Sequence, residues 1–173
     1  MIDSGRPGHC SGVRWAILLL FLFAGQAPFA THRELRVPRK QEGWTSAART
    51  DRFLATDNVP ARPHSEARLA WEDGKLWVLL YAADEDIRST DSFHVEVGRR
   101  SIDAAAATAE DVDGTLDDPR DDDEEWIVEL AVPVEAKAGD RVRFSAHRCD
   151  TPKDGVRSCA QFGESEPIDL VLE

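Results

Sequence analysis

The chain has 173 residues, of which 33 are Asp or Glu and 21 are Lys or Arg, so its formal net charge at pH 7 is −12. This length is typical of one domain with a hydrophobic core of its own. A surface this acidic repels nucleic acid and anionic lipid. We therefore predict a domain that binds neither nucleic acid nor a membrane after its N-terminal segment is removed.

The first thirty residues have the pattern of a secretory signal peptide. Arg6 and Arg14 precede an unbroken apolar run, WAILLLFLFA (15–24), and small residues follow it up to Ala30. Ten apolar residues are too few for a membrane-spanning helix, which needs about 20. A basic start, a short apolar run and a small-residue exit indicate export. We predict cleavage between Ala27 and Ala30, and a secreted or periplasmic protein.

An N-terminal arm is predicted over residues 31–62. This stretch is polar and mixed, and VPARPH (59–64) contains two prolines that favour extended, turn-rich backbone. We predict that the arm is irregular, belongs to the domain and contains a short strand near residues 50–55. The core of the domain is predicted over residues 63–173.

The core region begins with a β-hairpin signal. The runs EARLAW and KLWVLLYA flank EDG (72–74), in which Gly74 can adopt positive φ. Both alternating faces of KLWVLLYA are apolar, so this strand is predicted to be buried on both sides.

The remaining segments predict further short strands. SIDAAAATAEDVDG (101–114) is ambiguous, because four consecutive alanines favour a helix whereas a short strand at 101–104 suits an all-β domain. The sequence thus predicts an all-β fold, a single antiparallel β-sandwich with immunoglobulin-like or jelly-roll-like architecture. The other predicted strands are SFHVEVG (92–98), WIVELAVPV (126–134), RVRFSAHRC (141–149) and IDLVLE (168–173).

Two cysteines follow the predicted signal, Cys149 and Cys159, because Cys10 lies before the apolar run. An even pair in an exported protein predicts a disulfide. A two-cysteine zinc site is the alternative, but no histidine stands at finger-like spacing beside these cysteines.

Catalytic motifs are not found in the sequence. It contains no G-x-S-x-G, Walker loop, H-E-x-x-H or dinucleotide fingerprint. Glycoside hydrolysis needs two carboxylates at a fixed separation in a cleft, one of them with a raised pKa, and a dense acidic run in water does not provide this. We predict that the protein is not an enzyme and assign no certain cofactor. The histidines after the signal are scattered: His32, His64, His94 and His147.

The acidic run DGTLDDPRDDDEEW (113–126) holds eight acidic residues and one cation, Arg120. Calcium prefers such oxygen ligands, but in the twelve-residue segment DVDGTLDDPRDD (111–122) Gly114 stands at position 4, whereas an EF-hand loop needs glycine at position 6. A structural calcium site would require the fold to bring Asp84 and Asp86 beside Glu129 or beside the acidic run, in which Asp113 is the candidate ligand. We favour the alternative of a solvated loop whose like charges oppose edge pairing.

Glu129 and the tryptophans are the other candidates for a binding site. Glu129 interrupts an apolar strand, and a carboxylate buried there needs a partner, such as Arg143 or Arg148. Aromatic faces stack on the apolar face of a sugar ring, with polar groups around them for the hydroxyls. Trp126 and one of Trp71 or Trp77 are expected in the core. The four candidate tryptophans are Trp44, Trp71, Trp77 and Trp126.

In order and spacing, these motifs resemble the family 9 carbohydrate-binding modules. The resemblance covers residues 44–173 and depends on EARLAWEDGKLWVLLYAADEDI, on WIVELAVP and on the strand that ends near Arg148. It implies a DOMON-like β-sandwich, often stabilised by calcium, that binds mono- or oligosaccharides and accompanies secreted glycoside hydrolases. By this resemblance, the sugar ligands are Trp71, Trp77, Glu129 and Arg148, which stand at positions of the family motifs. The candidate calcium ligands, named from the acidic residues themselves, are Asp84, Asp86 and Asp113.

Two other functions stay open. Haem-binding DOMON sandwiches resemble the same scaffold and often use an axial methionine. Met1 is the only methionine here and would leave with the signal peptide, so a bis-histidine site would be needed. The other possibility is a ligand-free envelope domain that acts by protein contact. We favour an exported, non-catalytic carbohydrate-binding module.

Overall fold

The computed structural model describes residues 33–50, 53–54, 64–114, 116–117, 125–152, 155–162 and 167–173. These residues belong to the second of the two units into which the chain divides, His32–Glu173. The predicted signal peptide and residues 118–124 of the acidic run lie outside the described residues. Within the described ranges, no helix is long and apolar enough to cross a membrane.

Strands make up most of the described chain. One short 3-10 helix, Ala106–Thr108, accompanies them. The strands are β1 (Glu34–Val37), β2 (Ala48–Arg49), β3 (Phe53–Leu54), β4 (Ser65–Glu72), β5 (Lys75–Ala83), β6 (Ser92–Val97), β7 (Arg100–Ala105), β8 (Asp111–Asp113), β9 (Glu125–Pro133), β10 (Arg141–Asp150), β11 (Ser158–Phe162) and β12 (Ile168–Leu172).

The strands form two packed sheets. The five-stranded sheet has the order β2-β4-β5-β9-β8, and the seven-stranded sheet has the order β1-β12-β10-β11-β3, with β6 joining β10 to β7. The strand pairs are antiparallel except β1 with β12, which is parallel. The predicted all-β sandwich is confirmed.

The hairpin between β4 and β5 forms where the sequence predicts it. Glu72 pairs with Lys75 across a two-residue turn. Asp73 and Gly74 both have positive φ, 49° and 72°. Positive φ at both central positions is the mark of a type I′ turn, whose twist matches that of the two strands.

The prediction that β5 is buried on both sides is wrong. Leu76, Val78 and Leu80 are fully buried between the sheets. Trp77 and Tyr81 point the other way and are half-buried. A two-layer sandwich covers only the inner face of each sheet, so the apolar outer face of β5 stays accessible.

The chain before β4 connects the two sheets. β1 pairs with β12 in the seven-stranded sheet, and Arg39 then bridges to Trp71 at the edge of the five-stranded sheet. The short strand predicted near residues 50–55 corresponds to β3, whereas β1 and β2 were not foreseen. Their sequences, ELRV and AR, are too short to show a periodicity.

Two further expectations are settled by the fold. The ambiguous segment after residue 100 is a strand, β7, and only then a single turn of 3-10 helix. Cys149 and Cys159 lie directly opposite each other on β10 and β11. They form the predicted disulfide, with their Cα atoms 4.1 Å apart.

Candidate functional site

Four side chains converge on the outer face of the five-stranded sheet. Trp77 lies on β5 and Glu129 on β9, and both point away from the core. Lys40 and Trp44 come from the loop between β1 and β2. We call these four residues the aromatic cluster.

Lys40 lies between the two indole rings. Its Nζ atom is 4.1 Å from the ring centroid of Trp44 and 5.2 Å from that of Trp77. Glu129 contacts the same group from the sheet, because its Oε2 accepts a 3.0 Å hydrogen bond from Trp44 Nε1. Its Oε1 is 3.9 Å from Lys40 Nζ. Two aromatic faces and a carboxylate thus surround one ammonium group.

Backbone hydrogen bonds hold the loop of Lys40 and Trp44 against the sheet. Trp71 N–H donates to Pro38 O at 3.0 Å, and Lys40 N–H donates to Trp71 O at 2.9 Å. A turn at the tip of the loop is closed by Ala47 N–H and Trp44 O at 3.3 Å. The loop therefore runs along the end of β4 that β2 does not cover, and its side chains reach β5 and β9.

Polar groups extend the same face beyond the aromatic cluster. Glu66 lies directly opposite Tyr81 and its Oε1 accepts hydrogen bonds from Arg68 Nε at 2.8 Å and from Arg49 at 3.1 Å. Burial raises the pKa of the Tyr81 hydroxyl, and a hydrogen bond with Glu125 raises it further. The face therefore offers hydrogen-bond donors and acceptors beside its aromatic rings.

Trp77 retains one unused donor. Its indole Nε1 is buried and has no hydrogen-bond partner among the described residues. Buried polar atoms are rarely left in this state.

The structure separates the four sugar ligands named from the sequence. Trp77 and Glu129 belong to the aromatic cluster, but Trp71 and Arg148 lie inside the sandwich. Trp71 is 4% exposed, and its Nε1 donates to Glu173 O at 2.7 Å. The inward positions follow from the alternation along β4 and β10.

Arg148 instead organises a buried carboxylate cluster, which we define as Asp84, Asp91, Asp150 and Arg148. Its Nη2 is 2.6 Å from Asp84 Oδ2 and 3.4 Å from Asp150 Oδ1. Its Nη1 donates to Ser65 Oγ at 3.0 Å, so the guanidinium links β10 to the other sheet. One oxygen from each of the three aspartates lies within 4.8 Å of the others.

The carboxylate cluster has the chemistry of a cation site. Burial raises the pKa of Asp150 to about 6, and the neighbouring Asp84 and Asp91 carboxylates oppose the lowering effect of Arg148. Burial also raises the pKa of Asp91, although hydrogen bonds from the backbone N–H groups of Arg88 and Thr151 act to lower it. Three carboxylates with one guanidinium leave excess negative charge in a buried place, which suits a hard cation such as calcium.

Two of the predicted calcium ligands lie elsewhere. Asp86 turns to Arg88, with 2.7 Å between Oδ2 and Nη2. Asp113 is exposed on the edge strand β8. Sequence reasoning missed Asp91 and Asp150, which border β6 and β10. Their position at the ends of predicted strands marked them as candidates in the sequence. Only the pairing of β6 with β10 brings the two residues together.

An open groove of about 840 Å³ lies where the β6–β7 turn meets the end of β9 and the start of β10. None of the seven sugar and calcium ligands named from the sequence lines it. The basic residues of its lining are Arg99, Arg100, Arg141 and Arg143.

Comparison with solved structures finds the same sandwich in carbohydrate-binding modules. A family 9 module from Caldicellulosiruptor kristjanssonii in complex with cellotriose matches with a TM-score of 0.55 and 12% identity, over 82% of this chain and 94% of that one. A structure of such a module from the same organism with glucose has a TM-score of 0.54, again with 12% identity, over 82% and 96% of the two chains. No family description and no curated protein sequence matches the chain.

Proposed function

We propose that the protein binds a saccharide at the aromatic cluster. The observation that supports this most directly is the convergence of Trp44 and Trp77 on one point, with Glu129 beside it. Aromatic faces attract the apolar C–H face of a pyranose, and charged or polar groups at their rim select its hydroxyls. The solved structures with the same sandwich are modules with cellotriose and glucose.

In this proposal a sugar ring takes the place of the Lys40 ammonium between the two indoles. The Glu129 carboxylate then accepts hydrogen bonds from sugar hydroxyls. Lys40 has a 17% exposed side chain, and its long flexible stem can move into solvent. The ammonium of the free protein therefore competes with the sugar.

The wider function in this proposal is that of an exported, non-catalytic module. The N-terminal segment supports export. A calcium ion held by Asp84, Asp91 and Asp150 would stabilise the end of the sandwich without taking part in sugar recognition. Action beside secreted polysaccharide-degrading enzymes is the setting that the family resemblance suggests.

A calorimetric titration with glucose and cellotriose tests the binding site. Trp77→Ala removes one of the two stacking faces, so we expect the affinity to fall at least about tenfold, which corresponds to 1.4 kcal/mol. Glu129→Gln keeps the size of the side chain but removes its charge, and a smaller loss is expected.

Trp71→Phe is the matched control, because this tryptophan was also named as a sugar ligand but lies in the core. We expect it to lower the free energy of unfolding while affinity stays within about twofold of the unchanged protein. Sugar binding by the unchanged protein that persists in a folded Trp77→Ala variant would refute the assignment of the site. No binding to either sugar or to a wider glycan array would refute the proposed function itself.

A further inference from the structure

A different group of ligating side chains lies on the outer face of the seven-stranded sheet. His94 on β6 and His147 on β10 stand directly opposite each other in the antiparallel pair. Their imidazole centroids are 6.1 Å apart. Glu96 follows His94 on the same face, with its Oε1 3.8 Å from His94 Nε2. We call these three residues the histidine cluster.

Neighbouring side chains orient two members of the histidine cluster. Asp103 Oδ1 is 2.7 Å from His94 Nδ1. This carboxylate can only accept, so it favours the tautomer with the proton on Nδ1, whose Nε2 lone pair can bind a metal. Ser145 Oγ donates to Glu96 Oε2 at 2.9 Å, which leaves Oε1 on the side of His94. A carboxylate behind a ligating histidine and a hydrogen bond to a ligating carboxylate are typical of metal sites.

The ligand types favour a transition metal over calcium. Imidazole nitrogen suits zinc, nickel and copper, whereas calcium takes oxygen ligands. Directly opposite residues of an antiparallel pair have Cβ atoms about 4.5–5.5 Å apart, close enough for two imidazoles to share one ion.

We propose that His94, His147 and Glu96 bind a divalent transition-metal ion such as Zn²⁺ on this sheet. To bind the ion, the three side chains rotate until their ligand atoms approach it. Zinc holds nitrogen ligands at about 2.0–2.1 Å. The weak 3.3 Å contact between Ser101 Oγ and His94 Nε2 is given up on binding. Three protein ligands leave a coordination position for water or for a further ligand.

The sequence of contacts Ser101–His94–Asp103 also has the order of a hydrolytic triad. The aspartate of such a triad is buried, and its charge there stabilises the imidazolium that forms. The Asp103 side chain is 83% exposed. The exposed Asp103 can therefore orient His94 as a metal ligand, but it does not make Ser101 a nucleophile.

Calorimetric titration of the full chain with Zn²⁺, in excess Ca²⁺ to fill oxygen-only sites, tests the proposal. We expect one binding event that is lost in the double variant His94→Ala, His147→Ala. Asp103→Asn should weaken affinity by about 10–100-fold, the usual effect of losing a partner behind a ligand. Glu96→Gln, which keeps the shape of the surface, should also weaken it.

His64→Ala is the matched control. His64 also lies near a carboxylate, with 3.8 Å between its Nε2 and Glu66 Oε2, but it lies on the other sheet. Zinc affinity should be unchanged in this variant. Equal zinc affinity in the unchanged protein and in a folded Glu96→Gln or double-histidine variant would overturn the proposal, as would loss of the event in His64→Ala. Neither result bears on sugar binding at the aromatic cluster.

Discussion

The aromatic cluster and the carboxylate cluster are both built around one cationic side chain, but they differ in access to water. The Lys40 side chain is 17% exposed and that of Glu129 is 28% exposed. The side chains of Arg148 and Asp84 are 3% and 4% exposed. A cationic side chain at an accessible surface can move away at a small cost in free energy. A buried one cannot, because its carboxylate partners would stay buried without a counter-charge. The first arrangement suits exchange with a ligand and the second suits support of the fold.

The energetic difference follows from desolvation. Removing one partner of a buried ion pair costs about 3–5 kcal/mol, because the other charge remains buried and uncompensated. A cation over an aromatic ring at an accessible site contributes only about 0.5–1 kcal/mol. An ion pair in contact with water adds about 0–1 kcal/mol.

The largest effect is expected from Arg148→Met. This change leaves the carboxylates of Asp84 and Asp150 without their guanidinium, so the free energy of unfolding should fall by about 3–5 kcal/mol at pH 7. Lys40→Met is the counterpart in the aromatic cluster and should cost less than about 1 kcal/mol. Urea unfolding followed by tryptophan fluorescence measures both. Similar losses in the two variants would remove the distinction between the clusters.

The second expected effect is stabilisation by calcium. If Asp84, Asp91 and Asp150 hold the ion, calcium at 100 times its dissociation constant should add about 2.7 kcal/mol to the free energy of unfolding. A chelator should reverse the gain, and Asp91→Asn should abolish most of it. Calorimetric melting with and without calcium provides the measurement.

Asp113→Asn is the control for calcium, because Asp113 was named from the sequence but is exposed on β8. Its response to calcium should equal that of the unchanged protein. A response that disappears in Asp113→Asn but persists in Asp91→Asn would place the ion at the acidic run and not in the carboxylate cluster.

The smallest effect is expected from Lys40→Ala on sugar binding. If the Lys40 ammonium competes with the sugar, its removal should tighten binding by about three- to tenfold, since up to about 1 kcal/mol of cation–π attraction no longer opposes entry. Titration with cellotriose checks this. Lys75→Ala is the control, because its Nζ is 5.8 Å from the Trp77 ring alone. Weaker binding in Lys40→Ala would mean that the lysine contacts the sugar.

Much of the fold was predictable because its signals are local. The EDG turn, the apolar alternation of β5 and the strand WIVELAVP depend on neighbouring residues, and each stands where it was predicted. The burial of β5 on both faces was wrong because a sequence does not show how many layers cover a strand. Trp71 and Trp77 both lie among apolar residues, yet one faces the core and the other the outside.

The sequence alone determined the class of fold, the β4–β5 hairpin and the disulfide, because period-two patterning, turn residues and cysteine pairing act over short distances. Only the tertiary structure decided which side chains meet. Lys40 reaches Trp77 and Glu129 because the β1–β2 loop runs along the end of β4 that β2 does not cover. Asp84 meets Asp150 because the two sheets pack face to face. Contacts between residues far apart in the chain depend on topology, which no local pattern records.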